Sequence, residues 1–304
     1  MMRVSCRRRA VTDQKYTYGD LYRQGVLVLN EDEDARLDAR LLLEEVCGTD
    51  LQTLLVYPET PVSQEQAARY MELLKRRAEH EPTAYILGKT EFMGLPFIVT
   101  GDVLIPEQDS EILVETALSA FRGGLVLDLC TGSGCLVLSL LKLYNESNHG
   151  KTFRSVRAVA GDLSDKALAV ARRNAAALSL SDAVSFRQGD LFDVVQKEEE
   201  GCFDLLISNP PYIRTDVIGT LREEVACREP YMALDGGADG LSFYRRIAAG
   251  AGAVLKNHGR LIVEIGYDQG EAVRELFTAA GFDSVCVLQD YGHRDRVVIG
   301  EKNV

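Results

Sequence analysis

The chain has no Trp and only four His in 304 residues, and no apolar run approaches membrane-spanning length. A membrane-crossing helix requires about 20 consecutive apolar residues, so an integral membrane protein is not expected. His80, His149, His258 and His293 are scattered, which leaves no metal site to expect. The seven Cys include no C-x-x-C pair, Cys130 and Cys135 being nearest each other. Most of them lie in apolar stretches, as reduced core thiols do, and a cytoplasmic location is the expectation. Positive charge is scarce as well, with 34 Lys and Arg against 46 Asp and Glu, a net charge of −12. A surface this acidic repels phosphate backbones and makes nucleic acid a poor partner, unless a local basic patch overrides it. No G-x-x-x-x-G-K-[ST] is present, which excludes a P-loop. The missing Trp decides nothing.

What is present suits a globular protein of about two domains, with 46% apolar and 26% charged residues. Residues 1–17 carry Arg3, Arg7, Arg8 and Arg9 with no apolar stretch behind them. They read as a disordered basic arm, not a secretory signal. From 18 to 81 the pattern is helical. Ala35, Ala39, Leu42 and Val46 recur at helical spacing before Gly48. A short helix is expected over 51–56. Ser63 and Gln66 form a candidate capping box for the next helix, whose apolar stripe is Ala67, Tyr70, Met71, Leu74 and Ala78. This bundle reads as a structural cap or as a docking domain for a macromolecular substrate. The character changes at Pro82, and 82–109, with Gly94, Pro96 and Gly101 between short β-like runs, reads as a linker with a β-hairpin.

From about residue 110 to 304, strands and helices alternate. Strands are expected at 125–129, 157–162, 184–188, 203–208, 260–265, 283–289 and 296–300. Helices are expected at 110–121, 135–143, 165–177, 241–255 and 269–280. Alternation of this kind implies an α/β fold with a doubly wound, mostly parallel sheet. The last two strands are too close for a crossover helix, so that pair is expected to be antiparallel. One antiparallel strand at the sheet's end suits the Rossmann-like class I methyltransferase fold with seven strands.

Cys130-Thr131-Gly132-Ser133-Gly134 follows the first strand of this sheet. Glycines at a strand-to-helix turn let backbone approach a ligand, and the helix N-terminus presents free N–H groups. A dinucleotide fingerprint would need a small residue where Val137 stands. Asp128 can fix this loop or meet a cofactor's ammonium. Asp162 ends the second strand, where a carboxylate can accept both ribose hydroxyls. Asp190 ends the third and can accept from an adenine amino group, with Leu191 packed on the ring. All of these fall on the ligand-binding edge of a parallel sheet. S-adenosylmethionine, which has no pyrophosphate, is the cofactor these features favour.

Asn209-Pro210-Pro211-Tyr212 follows the fourth strand. The Asn209 side-chain oxygen and the Pro210 carbonyl can grip both N–H bonds of a planar NH2 group. Pro210 and Pro211 fix φ and stiffen that carbonyl. Tyr212 can stack on the flat amide or base. The nitrogen can then pyramidalise toward a methyl donor, and carbonyl dipoles stabilise its developing positive charge. Asn209 cannot act as a general base, so none is expected. The reading is catalytic for Asn209, Pro210 and Tyr212, and substrate-binding for Asn209 through Tyr212.

At these residues the chain resembles the release-factor glutamine methyltransferases. The resemblance extends to Glu81 through Gly88, Glu91 through Phe97, Val103 through Pro106, Glu229-Pro230, Ala233-Leu234, Gly236-Gly237 and Asp239-Gly240-Leu241. It implies N5-methylation of the glutamine in the Gly-Gly-Gln motif of class I peptide-chain release factors. It also implies cofactor contacts at Cys130 through Gly134, Asp162, Leu191 and Asn209. A monomer is expected. The family has Arg-Pro where Glu107-Gln108 stand and Gly where Cys130 stands, while Asp109 and Glu111 keep its pattern. Other readings are a nucleic-acid adenine N6-methyltransferase, a ribosomal-protein glutamine methyltransferase, and a non-enzymatic scaffold disabled by Glu107 and Cys130.

Overall fold

The computed structural model describes residues 16–30, 33–147 and 156–303, which form two compact units, Met1–Leu87 and Gly88–Val304. Most of the basic arm expected at 1–17 lies outside the described residues. Its last two residues are ordered into a strand, β1 (Tyr16–Thr17), paired antiparallel with β2 (Pro61–Val62). Thr17 then caps helix α1 (Tyr18–Val28) through a capping box with Asp20.

The first unit continues with α2 (Ala35–Cys47), α3 (Leu51–Val56), α4 (Gln64–Ala78) and α5 (Thr83–Leu87). Gly48 ends α2 in the left-handed conformation, and Ser63 and Gln66 form the anticipated box at the start of α4. Leu21, Leu42, Leu43, Tyr70 and Leu74 fill the core. The Tyr70 hydroxyl donates to the Ala39 carbonyl at 3.0 Å. Asp38 is buried between Arg77 Nε at 2.6 Å and Thr83 Oγ1 at 2.6 Å. That anchorage explains α5, a stretch whose apolar run reads as extended. Pro82 starts the turn, and the amides of Tyr85 and Ile86 both reach its carbonyl.

The second unit opens with the hairpin β3 (Lys89–Phe92) and β4 (Leu95–Ile98), then α6 (Glu111–Ala120). The alternating part follows as β5 (Leu125–Leu129), α7 (Cys135–Ser147), β6 (Arg157–Asp162), α8 (Asp165–Ala177), β7 (Val184–Gln188) and β8 (Phe203–Ser208). Three short helices come next, α9 (Thr215–Ile218), α10 (Glu223–Ala226) and α11 (Tyr231–Leu234). The chain closes with α12 (Ser242–Val254), β9 (Leu255–Glu264), α13 (Gly270–Ala279), β10 (Phe282–Gln289) and β11 (Asp295–Lys302).

Seven strands form one sheet in the order β10-β11-β9-β8-β5-β6-β7. The five strands β5 to β9 run parallel, and β11 is antiparallel to both β9 and β10. The antiparallel strand is thus inserted inside the edge rather than added at the end. Val297 and Val298 on β11 are fully buried, as its interior place between β9 and β10 requires. Val126 packs with α6 and α7 on one face, while Leu127 and Leu129 pack with α12 and α13 on the other. Alternating burial on both faces is what a doubly covered sheet requires. Cys47, Cys130 and Cys135 pack against the hydrophobic cores as expected, whereas Cys227 and Cys286 are exposed.

Among the described residues, no helix is long and apolar enough to cross a membrane.

Candidate active site

Parallel registration sets Leu129 of β5 opposite Gly161 of β6 and Ser208 of β8. The strand ends therefore share one edge, and a cavity of about 400 Å³ opens there. This volume suits a small-molecule ligand. Cys130, Thr131, Gly132, Ser133, Asp162, Asp190, Leu191, Asn209 and Pro211 all line it.

The glycine loop alternates its backbone. Cys130, Gly132 and Gly134 have φ of 59°, 55° and 79°. At Gly132 a Cβ would project into open space, so its absence leaves the backbone bare toward the cavity. The Thr131 amide donates to the Gly161 carbonyl at 2.9 Å and the Gly132 amide to Asp162 Oδ2 at 2.9 Å. Asp162 Oδ1 accepts from the Ser164 amide at 2.8 Å, so one carboxylate ties the loop to the start of α8. Asp128 lies behind the loop, fully buried, and accepts from Thr131 Oγ1 at 2.5 Å. Of its two expected roles it fills that of loop anchor, although its Oδ1 has no partner within the protein. The buried Asn174 on α8 braces the same loop, donating to the Ser133 and Ile98 carbonyls at 2.9 and 3.0 Å.

Asp190 forms an ion pair with Arg246 of α12 at 2.8 Å, and Arg246 also lines the cavity. Nothing in the local sequence around Arg246 marked it. Leu191, at φ 51°, is buried beside it.

On the opposite side, Ser208 Oγ donates to the Leu129 carbonyl at 2.7 Å and locks β8 against β5. Asn209 follows, and its Nδ2 donates to Ser110 Oγ at 3.4 Å. Tyr212 turns its hydroxyl onto Glu264 Oε1 at 3.3 Å, while Asn209 and Pro211 face the cavity. Gln269 Nε2 donates to the Tyr212 carbonyl at 3.0 Å. The segment 234–240 folds back over this turn, with the Ile213 amide bonded to the Leu234 carbonyl.

Two family models cover the chain. The PrmC N-terminal domain matches 20–88 and a methyltransferase domain matches 121–296. A release factor glutamine methyltransferase of Cereibacter sphaeroides is 43% identical over 267 residues, 88% of this chain and 91% of that protein. One from Geobacter sulfurreducens is 40% identical over 286 residues, 94% of each chain. The chain belongs to this family. The fold is also similar to that of the hMettl16 catalytic domain in complex with a MAT2A 3′UTR hairpin. That structure has a TM-score of 0.51 and 16% identity, covering 80% of this chain and 83% of that one. The protein is a class I methyltransferase that uses S-adenosylmethionine, which removes the scaffold reading.

The cavity of the methyltransferase fits that cofactor. Among the described residues that line it, Asp102, Glu107, Asp162, Asp190 and Asp235 are acidic, and Arg246 is the one Lys or Arg. Such a wall favours a sulfonium cation and disfavours a pyrophosphate. The bare Gly132 backbone and the wall of Asp162 and Leu191 would hold the nucleoside end.

The two departures from the family pattern both touch this cavity. Cys130 adopts the left-handed conformation that Gly takes without strain, a cost of about 1 kcal/mol for another residue. Its thiol is pushed up by burial and by the carboxyls of Asp162 and Asp128, so it stays protonated. Glu107 sits exposed on the cavity's rim, where partial desolvation and Asp109 raise its carboxyl. The retained acids have clear tasks. Asp109 pairs with Arg296 at 3.0 Å, and Glu111 accepts from the Met93 amide at 2.6 Å, fastening the hairpin to α6.

Gly240 has φ 73°, and a Cβ there would lie 2.4 Å from the Tyr212 carbonyl oxygen and 2.6 Å from Gln269 Nε2. Gly240→Ala is expected to displace the Tyr212 backbone and lower kcat by about 10-fold to 100-fold. Steady-state kinetics check this, and an unchanged kcat would contradict it.

Burial pushes the Asp128 carboxyl up to about 7, against the Thr131 hydrogen bond and with repulsion from Asp162. A carboxyl raised on folding favours the fold fully below its unfolded value, and that contribution disappears as pH rises through about 7. The expected loss is on the order of 4 kcal/mol. The melting temperature should therefore fall between about pH 4 and about pH 7, and fall less in Asp128→Asn. Equal slopes in the two proteins would contradict the assignment.

Proposed function

We propose that this methyltransferase transfers a methyl group from S-adenosylmethionine to the side-chain nitrogen, N5, of the glutamine in the Gly-Gly-Gln motif of class I peptide-chain release factors, in the cytoplasm. The observation that carries the reading is the Asn209 carboxamide. Its NH2 is spent inward on Ser110, which leaves Oδ1 as the group to offer an acceptor at the cavity. Oδ1 and the Pro210 carbonyl then accept the two N–H bonds of the substrate amide. A carboxamide nitrogen is a weak nucleophile because its lone pair is delocalised. Held by two acceptors it can pyramidalise, and carbonyl dipoles stabilise the positive charge it gains. When bound, the cofactor supplies an electrophilic methyl group. Asn209 has no basic lone pair, so the proton leaves to solvent after transfer. Tyr212 supports the turn by binding Glu264 and stiffens the substrate side.

The helical domain, residues 18–81, is proposed to dock the protein substrate. Leu55, Val56 and Tyr57 are more than half exposed there, as a docking surface needs. Residues 82–109 are the proposed link to the catalytic domain, 110–304. The relatives' names supply the substrate class, being those of release factor glutamine methyltransferases.

The test is label transfer. Purified protein, cofactor labelled in its methyl group, release factor, ribosomal proteins and DNA are incubated together. Label on the release-factor glutamine is expected. Label on adenine, on a ribosomal protein alone, or nowhere would overturn the reading.

A further inference from the structure

The hairpin that closes the chain reaches the wall of the active-site cavity. Asp290, directly after β10, is buried, and its Oδ1 accepts from the amides of Gly292 and Arg294 at 2.8 and 3.0 Å. Its Oδ2 accepts from Arg296 Nε at 3.1 Å. Arg296, on β11 and buried, spends its far end on a distant part of the chain, where Nη2 donates to Asp109 Oδ2 at 3.0 Å. Asp109 belongs to the short turn Gln108–Ser110 that leads into α6. Ser110, the next residue, lines the cavity and receives Asn209 Nδ2 at 3.4 Å. We propose that Arg296 is a positioning residue for methyl transfer, holding Ser110, through Asp109, where its hydroxyl keeps the Asn209 NH2 turned inward.

The inference rests on the glutamine methyltransferase reading, in which Asn209 Oδ1 meets the substrate amide. The turn transmits position because it is closed on itself, with the Ser110 amide donating to the Glu107 carbonyl at 3.1 Å. A shift of Asp109 is therefore passed to Ser110. The Asn209–Ser110 bond has little slack to absorb it. Hydrogen bonds of this kind span about 2.7–3.2 Å, so at 3.4 Å a further few tenths of an ångström breaks it. Without that acceptor the carboxamide is free to rotate. An NH2 turned to the cavity confronts the substrate NH2, donor against donor.

The clasp suits a forked cation. A guanidinium offers separate N–H groups to two carboxylates, whereas a Lys ammonium is a single point charge on a flexible stem. The two carboxylates differ in what they hold. The Asp290 side chain is 3% exposed, so its pairing with Arg296 supports the fold. The Asp109 side chain is 53% exposed, where an ion pair contributes little to stability. Loss of the Asp109 bond alone should therefore register in rate rather than in melting temperature. Tyr291 ties the same hairpin to α6 a second time, donating to Glu115 Oε2 at 2.7 Å.

The test measures kcat and KM on release factor, cofactor affinity by calorimetry, and melting temperature. Wild type, Asp109→Ala, Asp109→Asn, Arg296→Lys and the double variant Asp109→Ala/Arg296→Lys are compared. Asp109→Ala spares the Arg296–Asp290 pair and should melt within about 3 °C of wild type. Its kcat should fall about 10-fold, with KM and cofactor affinity within about 3-fold. Asp109→Asn keeps one acceptor and should recover part of that loss. Arg296→Lys keeps the charge yet should lose about as much as Asp109→Ala. The double variant should lose no more than either alone, as two residues acting through one bond do. Wild-type kcat in Asp109→Ala, or losses that multiply in the double variant, would overturn the proposal. So would a fall in cofactor affinity as large as that in kcat, which marks a general brace of the cavity. Should Arg296→Lys fail to fold, Asp109→Ala and Asp109→Asn decide alone, and an unaltered kcat in both overturns it. A wild-type protein that does not label release factor at all would remove the underlying reading, and this inference with it.

Discussion

Asn209→Ala is expected to lower kcat by about 100-fold or more while leaving cofactor affinity within about 3-fold. The split follows from where the side chain stands. Its nitrogen is bonded to Ser110, so its oxygen is the part available to a substrate. Each such hydrogen bond stabilises a complex by only about 1 kcal/mol. Its larger effect is on geometry, because misplacement of a reacting nitrogen by about 1 Å costs about 100-fold in rate. The proposed cofactor contacts are spread over other cavity-lining residues, Cys130 through Ser133, Asp162 and Leu191, and these remain. Kinetics with calorimetry on the same preparation read both quantities. A large loss of cofactor affinity with little change in kcat would reverse the assignment of this residue.

Asp162→Ala is expected to produce the opposite split, a cofactor affinity weaker by about 100-fold or more. The carboxylate accepts from the Gly132 amide at 2.9 Å and the Ser164 amide at 2.8 Å and also lines the cavity. Hydrogen bonds to charged groups contribute about 1.5–3 kcal/mol each, so losing two of them releases the glycine loop from its fixed form. Burial raises this carboxyl, while the amides of Ser164, Gly132 and Leu163 lower it. Asp162→Asn keeps one acceptor and should fall between the two. An affinity unchanged in Asp162→Ala would place the cofactor elsewhere.

Much of the fold was legible because it rests on local signals. The apolar runs 125–129 and 203–208 are strands with those same limits, since buried parallel strands need continuous apolar residues. The box of Ser63 and Gln66 works within one turn of helix, and a three-residue spacing suffices to see it. The glycine loop and Asn209 were visible for a similar reason, since each sits directly after a strand.

Long-range features were not legible. The Asn209–Ser110 and Tyr212–Glu264 bonds join residues 99 and 52 positions apart. Nothing local distinguishes Glu264 from any polar residue at a strand end. Arg246 on α12 reads as a solvated helix residue until Asp190 is brought beside it. The interior place of β11 was missed because a short hairpin link fixes antiparallel pairing but not which strand joins β9. Helix α5 was missed because its anchor is Asp38, 45 residues away from Thr83.

A crystal structure of the methyltransferase with S-adenosylhomocysteine and a glutamine peptide tests the central claim most directly. The account predicts the nucleoside between Asp162 and Leu191, and the glutamine side-chain nitrogen within hydrogen-bonding distance of both Asn209 Oδ1 and the Pro210 carbonyl. A peptide bound with its amide nitrogen away from Asn209, or a nucleoside outside the crevice at the ends of β5 and β6, would contradict it.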